Sequence, residues 1–533
     1  MERKKNLFIF FLVCTVVLIF RLGYLQVFKA KETNYAMLEQ RFKFMPLYRE
    51  RGYILDRNGI PFTTFQQECI IIVKYDEYLK YKFHFDEIKN KVYINKEPLL
   101  PIIIRTDLLS AQTIINVLNQ NVYTLYVKNV NSDSLTHVIG YVNGYDQTGI
   151  SGLQASYNDI LDKDTIINFA VMQDINGNII NESDPRIITT GKNHRQQDIV
   201  LTVDRHIQRI VDEKLQAQSK SGCVIVQDCK TGYILAMSSV PGFNYDYSGD
   251  FLNGTDGELV NRATAEYNPG SVFKLVIAAA ILESGQAGEY DYVCNGFYRI
   301  GGHVVKCSAH PYGSEKPISL SDGLALSCNS YFLNAARKLG YEKIYKKAVE
   351  LGLTTETGLH LQKINESKGY LPVPDNVQSN IDIANLALGQ WVAKVTPLQI
   401  CNLTSAIANG GMLNTINLVH SAVNNNQKIL NYLNKQGHRV LSPGDAKKLA
   451  QYLRFCVTAG TGKSANISGK FDIAGKTGTA GGNTDDNTVW FTGFFPAHNP
   501  TYTMTVVLEH SKSGAEDAAP LFGIIAEEIM KIN

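Results

Sequence analysis

Three short segments of this 533-residue chain hold side chains suited to covalent chemistry. In the first, Ser271-Val272-Phe273-Lys274 follows Pro269-Gly270 and precedes an apolar run over 275–282. The run is apolar nearly all round and Pro-Gly is a start signal, so the spacing predicts a buried helix with Ser271 in its first turn. Free backbone N–H groups there favour developing negative charge. Lys274, three residues on, shares the face of Ser271. A desolvated lysine gives up its proton and then serves as general base to a serine nucleophile. A capping serine beside a surface lysine would leave the same local pattern, so this segment does not decide the matter alone.

The second segment, Ser327-Cys328-Asn329, is a polar interruption of an apolar pattern. The Ser327 hydroxyl both donates and accepts, as a proton relay must, and the Asn329 amide holds a carbonyl and an N–H at once. The third segment is Lys476-Thr477-Gly478-Thr479, after strand-like residues. Alternation predicts Thr477 and Thr479 on one face of a strand, Gly478 allows close approach by a ligand, and Lys476 supplies charge for a terminal carboxylate. Two similar strings carry no chemistry. Lys230-Thr231-Gly232 lies between apolar runs and reads as a hairpin turn. Gly462-Lys463-Ser464 ends like a phosphate-binding loop, but Val457 stands where that motif begins with glycine.

The elements that must position these groups follow from the pattern around them. Residues 197–204 are strand-like, with a helix after them from Ile207. Runs at 222–228 and 233–237 flank a glycine-containing turn and predict a β-hairpin. Helical patterns dominate from 271 to about 410, and strands return at 473–475, 490–495 and 502–508 before a closing helix over 518–532. Strands, then helices, then strands imply a mixed α+β/α/β domain: a sheet closed by both ends of the domain and flanked by helices. Upstream, the segment to 195 is mixed, with strand-like runs at 69–73 and 99–104 and no catalytic cluster. It reads as a non-catalytic pedestal.

The N-terminus is basic and then apolar over 7–20, with the apolar pattern resuming past Arg21. Arg21 can snorkel, so 7–28 reads as one membrane-spanning helix. No small-x-small cleavage site follows, which favours a retained anchor with the N-terminus inside. The expected organisation is a cytoplasmic tail (1–6), an anchor (7–28), a pedestal (29–195) and a catalytic domain (196–533) outside the cytoplasmic membrane. Apolar content of 44% and charged content of 19% are those of a globular chain. A net charge of +2 without a basic, aromatic-interleaved tract argues against nucleic acid as a partner.

The nine cysteines are scattered and no pair has CxxC spacing. Cys307 and His310 are spaced as a ligand pair but lack a second half in the sequence, so no catalytic metal and no cofactor is expected. Cys294, Cys307 and Cys328 form a possible redox set, because Cys328 stands between Ser327 and Asn329. A Cys294–Cys307 bond would brace a short loop. A Cys307–Cys328 bond would pull Ser327 and Asn329 away and make reduction an activating switch. The alternative is a small buried Cys328 that stays reduced.

The order S-x-x-K, S-x-N, K-T-G resembles that of penicillin-binding proteins and class A β-lactamases, with Cys328 where Asp is usual. Over almost its whole length the chain is similar to the class B penicillin-binding proteins, the monofunctional transpeptidases. Arg51-Gly52-Tyr53-Ile54-Leu55-Asp56-Arg57-Asn58-Gly59 looks like their membrane-proximal box. Gly149-Ile150-Ser151-Gly152-Leu153-Gln154 looks like a second pedestal box, with Gln154 in place of the usual Glu. Asn261-Arg262-Ala263, Gly389-Gln390, Thr396-Pro397-Leu398-Gln399 and Trp490-Phe491-Thr492-Gly493-Phe494 match further stretches, with Trp391 where Gly is common. The resemblance implies a β-lactamase-like antiparallel sheet flanked by helices on an elongated pedestal.

It also implies acyl transfer from D-Ala-D-Ala stem peptides. Ser271 attacks, Lys274 takes its proton, Ser327 relays a proton, Asn329 positions the substrate, and Lys476, Thr477, Gly478 and Thr479 hold the carboxylate. The backbone N–H groups of Ser271 and Thr479 would form the oxyanion hole. β-Lactams would be trapped at the same serine, and a separate membrane glycan polymerase would supply the strands. A D,D-carboxypeptidase, a β-lactamase-like hydrolase and a catalytically idle division or sporulation scaffold are the rival readings.

Overall fold

The computed structural model describes residues 2–27, 29, 38, 40–88, 91–96, 100–118, 122–131, 134–143, 147–174, 186–191, 197–243, 257–359, 361, 364–377, 379–390, 393–424, 427–431, 437–481 and 486–532. Trp391, Leu99 and the expected boundary at 195/196 lie outside them.

Helix α1 (Glu2–Val27) runs unbroken through Arg21. Its stretch Arg3–Val27 has a mean hydropathy of 2.4 over its most apolar window, none of which is buried among the described residues. An exposed apolar helix of that length is suited to lipid.

Upstream of residue 195, the described residues include two sheets. Phe42–Arg51, Asp162–Met172 and Arg186–Thr190 form one, and Lys91–Asn95, Ile102–Asp107, Thr64–Val73 and Val122–Asn131 form the other. Side-chain alternation explains the continuous apolar run at 69–73. Ile70 and Ile72 pack with Met45, Leu47 and Phe169 of the first sheet. Cys69, Ile71 and Val73 pack with Ala111, Ile114 and Leu118 of the helix Leu108–Leu118. A strand covered on both faces has no polar side to show.

The membrane-proximal box is wired into the entry of the downstream domain. Ile54 and Leu55 pair in parallel with Ile199 and Val200, Arg57 N–H donates to the Val203 carbonyl, and Arg205 N–H donates to Asp56 Oδ2. Arg51 is buried, its guanidinium donating to Gln154 Oε1 at 2.9 Å, to Asn158 Oδ1 and to the Gln147 and Gln154 carbonyls. Gln154 thus meets the charged arginine as a neutral acceptor, in a hydrogen bond rather than an ion pair.

Helix α2 (Arg205–Gln216) leads into the central sheet, its first N–H groups capped by the Asp204 carboxylate. Strands β1 (Gly222–Asp228) and β2 (Ile234–Val240) form the expected hairpin, with Lys230-Thr231-Gly232 in its turn. After helix α3 (Lys274–Glu283) comes a second hairpin, β3 (Phe297–Ile300) and β4 (His303–Lys306). Helices dominate this region as the pattern predicts, and this hairpin interrupts them. Gly301 and Gly302 both hold positive φ, 53° and 81°, as a two-residue hairpin turn requires.

Helices α4 (Asn329–Leu339), α5 (Pro397–Ala408) and α6 (Pro443–Thr458) follow. The chain then returns as β5 (Ala474–Ala480), β6 (Asn487–Phe495) and β7 (Tyr502–Ser511), and ends in α7 (Ala519–Ile532) after a π-helical turn.

The central sheet has the order β2-β1-β7-β6-β5 and every pairing is antiparallel. Both ends of the domain therefore close it, as the sequence pattern implies. Val224, Val226, Phe491 and Val506 point to one core with α2 and α7. Cys223, Ile225, Trp490 and Val507 point to the other, with α3, α4 and α5. The result is a three-layer α/β/α sandwich that holds the turn Gly270–Phe273, directly ahead of α3, against the edge strand β5.

Candidate active site

The Ser271 turn is set by two close backbone approaches. Gly270 (φ 54°) N–H donates to the Gly389 carbonyl, and a Cβ on Gly270 would lie 2.5 Å from the Thr479 carbonyl oxygen. Only glycine fits there. A 3₁₀ turn, Gly270–Phe273, carries Ser271, and α3 begins at Lys274 rather than at the serine. The loop before it is pinned by Trp490 Nε1 donating to the Asn268 carbonyl, and by Asn268 Nδ2 donating to the Ala393 carbonyl. Ser271 thus arrives beside the backbone of Thr479 on β5.

Lys274 and Lys476 are both fully buried. Lys274 Nζ donates to Asn329 Oδ1 at 2.7 Å, to the Ser327 carbonyl at 2.9 Å and to Ser327 Oγ at 3.1 Å. Burial, and then the charge on Lys476, bring its pKa down to about 7. Burial likewise lowers Lys476 to about 8. Lys476 Nζ donates to the Thr477 carbonyl at 3.0 Å and reaches Thr477 Oγ1 at 3.3 Å. The first and second motifs therefore meet at one amine.

Ser327 occupies the turn between helix Leu320–Ala325 and α4, at φ 58°. Holding a non-glycine residue left-handed costs on the order of 1 kcal/mol. The turn is held by Cys328 N–H donating to the Gly323 carbonyl at 2.8 Å. Cys328 is the residue before α4, and Asn329 is the first residue of that helix.

Two contributors were not singled out from sequence. Thr461 Oγ1 lies 2.7 Å from Thr477 Oγ1, and the Gly514 N–H donates to Thr479 Oγ1 at 3.1 Å. Nothing in the local sequence marks either one. Thr461 directly precedes Gly462-Lys463-Ser464, the string that only resembles a phosphate-binding loop.

The cysteines need a correction. Cys307 and His310 do have a second half: their ligand atoms and those of Cys294 and Cys328 all lie within 4.8 Å of one another. The sequence hid this because the set spans the β3–β4 hairpin and the start of α4. All three thiols are free and buried, and Cys307 Sγ is 3.5 Å from Cys328 Sγ. A disulfide would need about 2.05 Å.

The family model described as the penicillin binding protein transpeptidase domain matches residues 222–531. The chain is 29% identical to the stage V sporulation protein D of Bacillus subtilis, over 99% of this chain and 85% of that protein. It is 24% identical to the peptidoglycan D,D-transpeptidase MrdA of Acinetobacter baumannii, over 96% of this chain and 85% of that one. A solved chain from a peptidoglycan synthase complex that coordinates polymerization and crosslinking shares the fold with a TM-score of 0.70 at 22% identity, covering 100% of this chain and 99% of that chain.

Proposed function

Because the chain belongs to the penicillin-binding protein transpeptidase family, we propose that Ser271 is the nucleophile with which it cross-links peptidoglycan stem peptides. It is a D,D-transpeptidase, an acyltransferase of the wall. Ser271 Oγ attacks the carbonyl of the penultimate D-Ala while neutral Lys274 takes its proton. The oxyanion faces the amides of Ser271 and Thr479. Ser327 hands a proton to the departing D-Ala nitrogen, and the amine of a second stem peptide then takes the acyl group and frees the serine. Asn329 orients the substrate. Lys476, Thr477, Gly478 and Thr479 bind the terminal carboxylate. A β-lactam acylates the same serine, but its leaving nitrogen stays tethered to the adduct.

One observation carries this reading. A buried amine brought down to about pKa 7 touches both Ser327 Oγ and Asn329 Oδ1. An ammonium donates three hydrogen bonds, whereas a neutral amine keeps two donors and a lone pair. Once Lys274 holds the Ser271 proton, the 3.1 Å contact runs from its ammonium to Ser327 Oγ. The hydrogen of Ser327 is then free for the leaving nitrogen, as a relay requires.

The purified full-length protein, given a pentapeptide donor and an amine acceptor, is expected to release D-Ala and form the cross-linked product. Release of D-Ala without any acceptor adduct would instead identify a carboxypeptidase.

The organisation proposed is α1 as a single-pass anchor, residues 29–195 as pedestal and 196–533 as catalytic domain on the outer side. Basic residues 3–5 ahead of the span support that orientation. A separate glycan polymerase is the proposed partner, in line with the synthase complex that shares the fold. Deleting residues 1–28 is expected to move the protein from the membrane to the soluble fraction with penicillin labelling retained. Fractionation followed by fluorescent labelling checks this, and a truncated chain that still pellets with membranes would contradict a single anchor.

A further inference from the structure

We infer that Cys294, Cys307, His310 and Cys328 bind one zinc ion, which ties the β3–β4 hairpin to the Ser327-Cys328-Asn329 turn. The site stands on geometry and donor chemistry apart from the acyl-transfer reading.

Three thiols and one imidazole are a closed structural zinc set. Their four ligand atoms lie within 4.8 Å of one another, with the cysteines buried and His310 half-buried. The Cys307–Cys328 sulfur separation of 3.5 Å is far from a covalent bond and close to the edge of a thiolate tetrahedron, ~3.8 Å for Zn–S bonds of ~2.3 Å. Nδ1 of His310 is buried and finds no hydrogen-bond partner among the described residues. Soft thiolates with one imidazole favour zinc over magnesium, calcium or manganese.

The backbone frames these ligands. Cys307 N–H donates to the Gly296 carbonyl at 2.9 Å, Ser314 N–H to the Cys294 carbonyl at 2.7 Å, and Cys294 N–H to Ser314 Oγ at 2.9 Å. A Cβ on Gly313 (φ 92°) would lie 2.9 Å from the Cys294 carbonyl oxygen, and one on Gly296 (φ 83°) 2.7 Å from the Pro311 carbonyl oxygen. The loop wraps tightly around the set, and glycine is required where it does.

The metal would restrain Cys328 between the two motif residues that touch Lys274, in a turn where Ser327 holds a left-handed conformation. It would also occupy the thiolates that a Cys307–Cys328 disulfide needs. Zinc binding and the redox switch are therefore competing fates of the same sulfurs.

The test uses the full-length protein in detergent, purified without chelator and with reductant. Elemental analysis is expected to find about one zinc per chain. Cys294→Ser is expected to lose most of that zinc and to slow penicillin acylation about tenfold or more. His310→Cys keeps four ligands and is expected to keep the zinc, which separates ligation from misfolding if the first variant is unstable. Cobalt supplied to the stripped protein should give the visible absorption of a tetrahedral thiolate site. Zinc well below one per chain with no uptake of added zinc or cobalt by the reduced protein would overturn the inference. Zinc retained in folded Cys294→Ser would overturn it too. Metal content is read without reference to acylation, so failure of the metal site and failure of the enzyme reading give different results.

Discussion

Replacing Ser271 by alanine is expected to cut covalent labelling by a fluorescent penicillin by on the order of 10⁴-fold or more. The adduct needs an oxygen nucleophile at the mouth of α3, and alanine has none. The fold is expected to survive, because the turn is held by backbone. Gly270 N–H bonds to the Gly389 carbonyl, and α3 is buried along its length from Lys274 to Leu282. Removing one hydroxyl from a half-buried serine changes little packing, so the melting temperature should move by no more than a few degrees. Labelling on a gel, peptide mapping of the wild-type adduct and a thermal melt check the three parts. An adduct mapped to Ser327 or Thr479, or full labelling of the variant, would reassign the nucleophile.

The segments that carry the site were legible because each signal is local. Pro269-Gly270 ahead of an all-apolar run marks a buried helix start, and Ser271 and Lys274 do lie across that start. Alternating hydroxyls mark a strand, and Thr477 and Thr479 lie on β5. The closing of the central sheet by both chain ends was legible from the order of elements, since β1 and β7 are each apolar enough to be buried on both faces.

What the sequence did not yield is contact between distant segments. Thr461 reaches Thr477 only because α6 packs along β5, and Gly514 reaches Thr479 only through the turn after β7. Lys274 meets Asn329 across 55 positions of chain. The four-residue thiol and imidazole cluster belongs to this class, since the β3–β4 hairpin folds back onto the start of α4. That hairpin did leave a local sign. Gly301-Gly302 stands between Phe-Tyr-Arg-Ile and His-Val-Val-Lys, a two-residue turn between short alternating runs, and the surrounding helical pattern masked it.

Acylation of the wild-type enzyme is expected to follow a narrow bell in pH, rising through about 7 and falling above about 8. The signs follow from what each lysine must do. Lys274 accepts a proton only when neutral, so below its pKa the active fraction drops about tenfold per pH unit. Lys476 holds a carboxylate only when charged, so binding weakens as pH rises through its own value. Lys274→Ala removes the base and should slow acylation by about 10²–10⁴-fold. It also strands the Ser327 carbonyl and Asn329 Oδ1 in a buried site, at a cost of about 1–3 kcal/mol. A slow alanine variant by itself would therefore not separate a base from a strut. Lys274→Arg separates them, because it keeps donors and charge but cannot lose its proton near neutral pH. It is expected to be as slow as alanine and to show no rise through pH 7. The second cause of the low Lys274 pKa gives a sharper check. Lys476→Met removes a neighbouring cation, so Lys274 should hold its proton more tightly and the acidic limb should move to higher pH. Stopped-flow acylation from pH 5.5 to 10 on the wild type, Lys274→Arg and Lys476→Met measures each limb. An acidic limb that stays in place when Lys476 is neutralised, or a Lys274→Arg enzyme near wild-type rate, would remove Lys274 from the role of base.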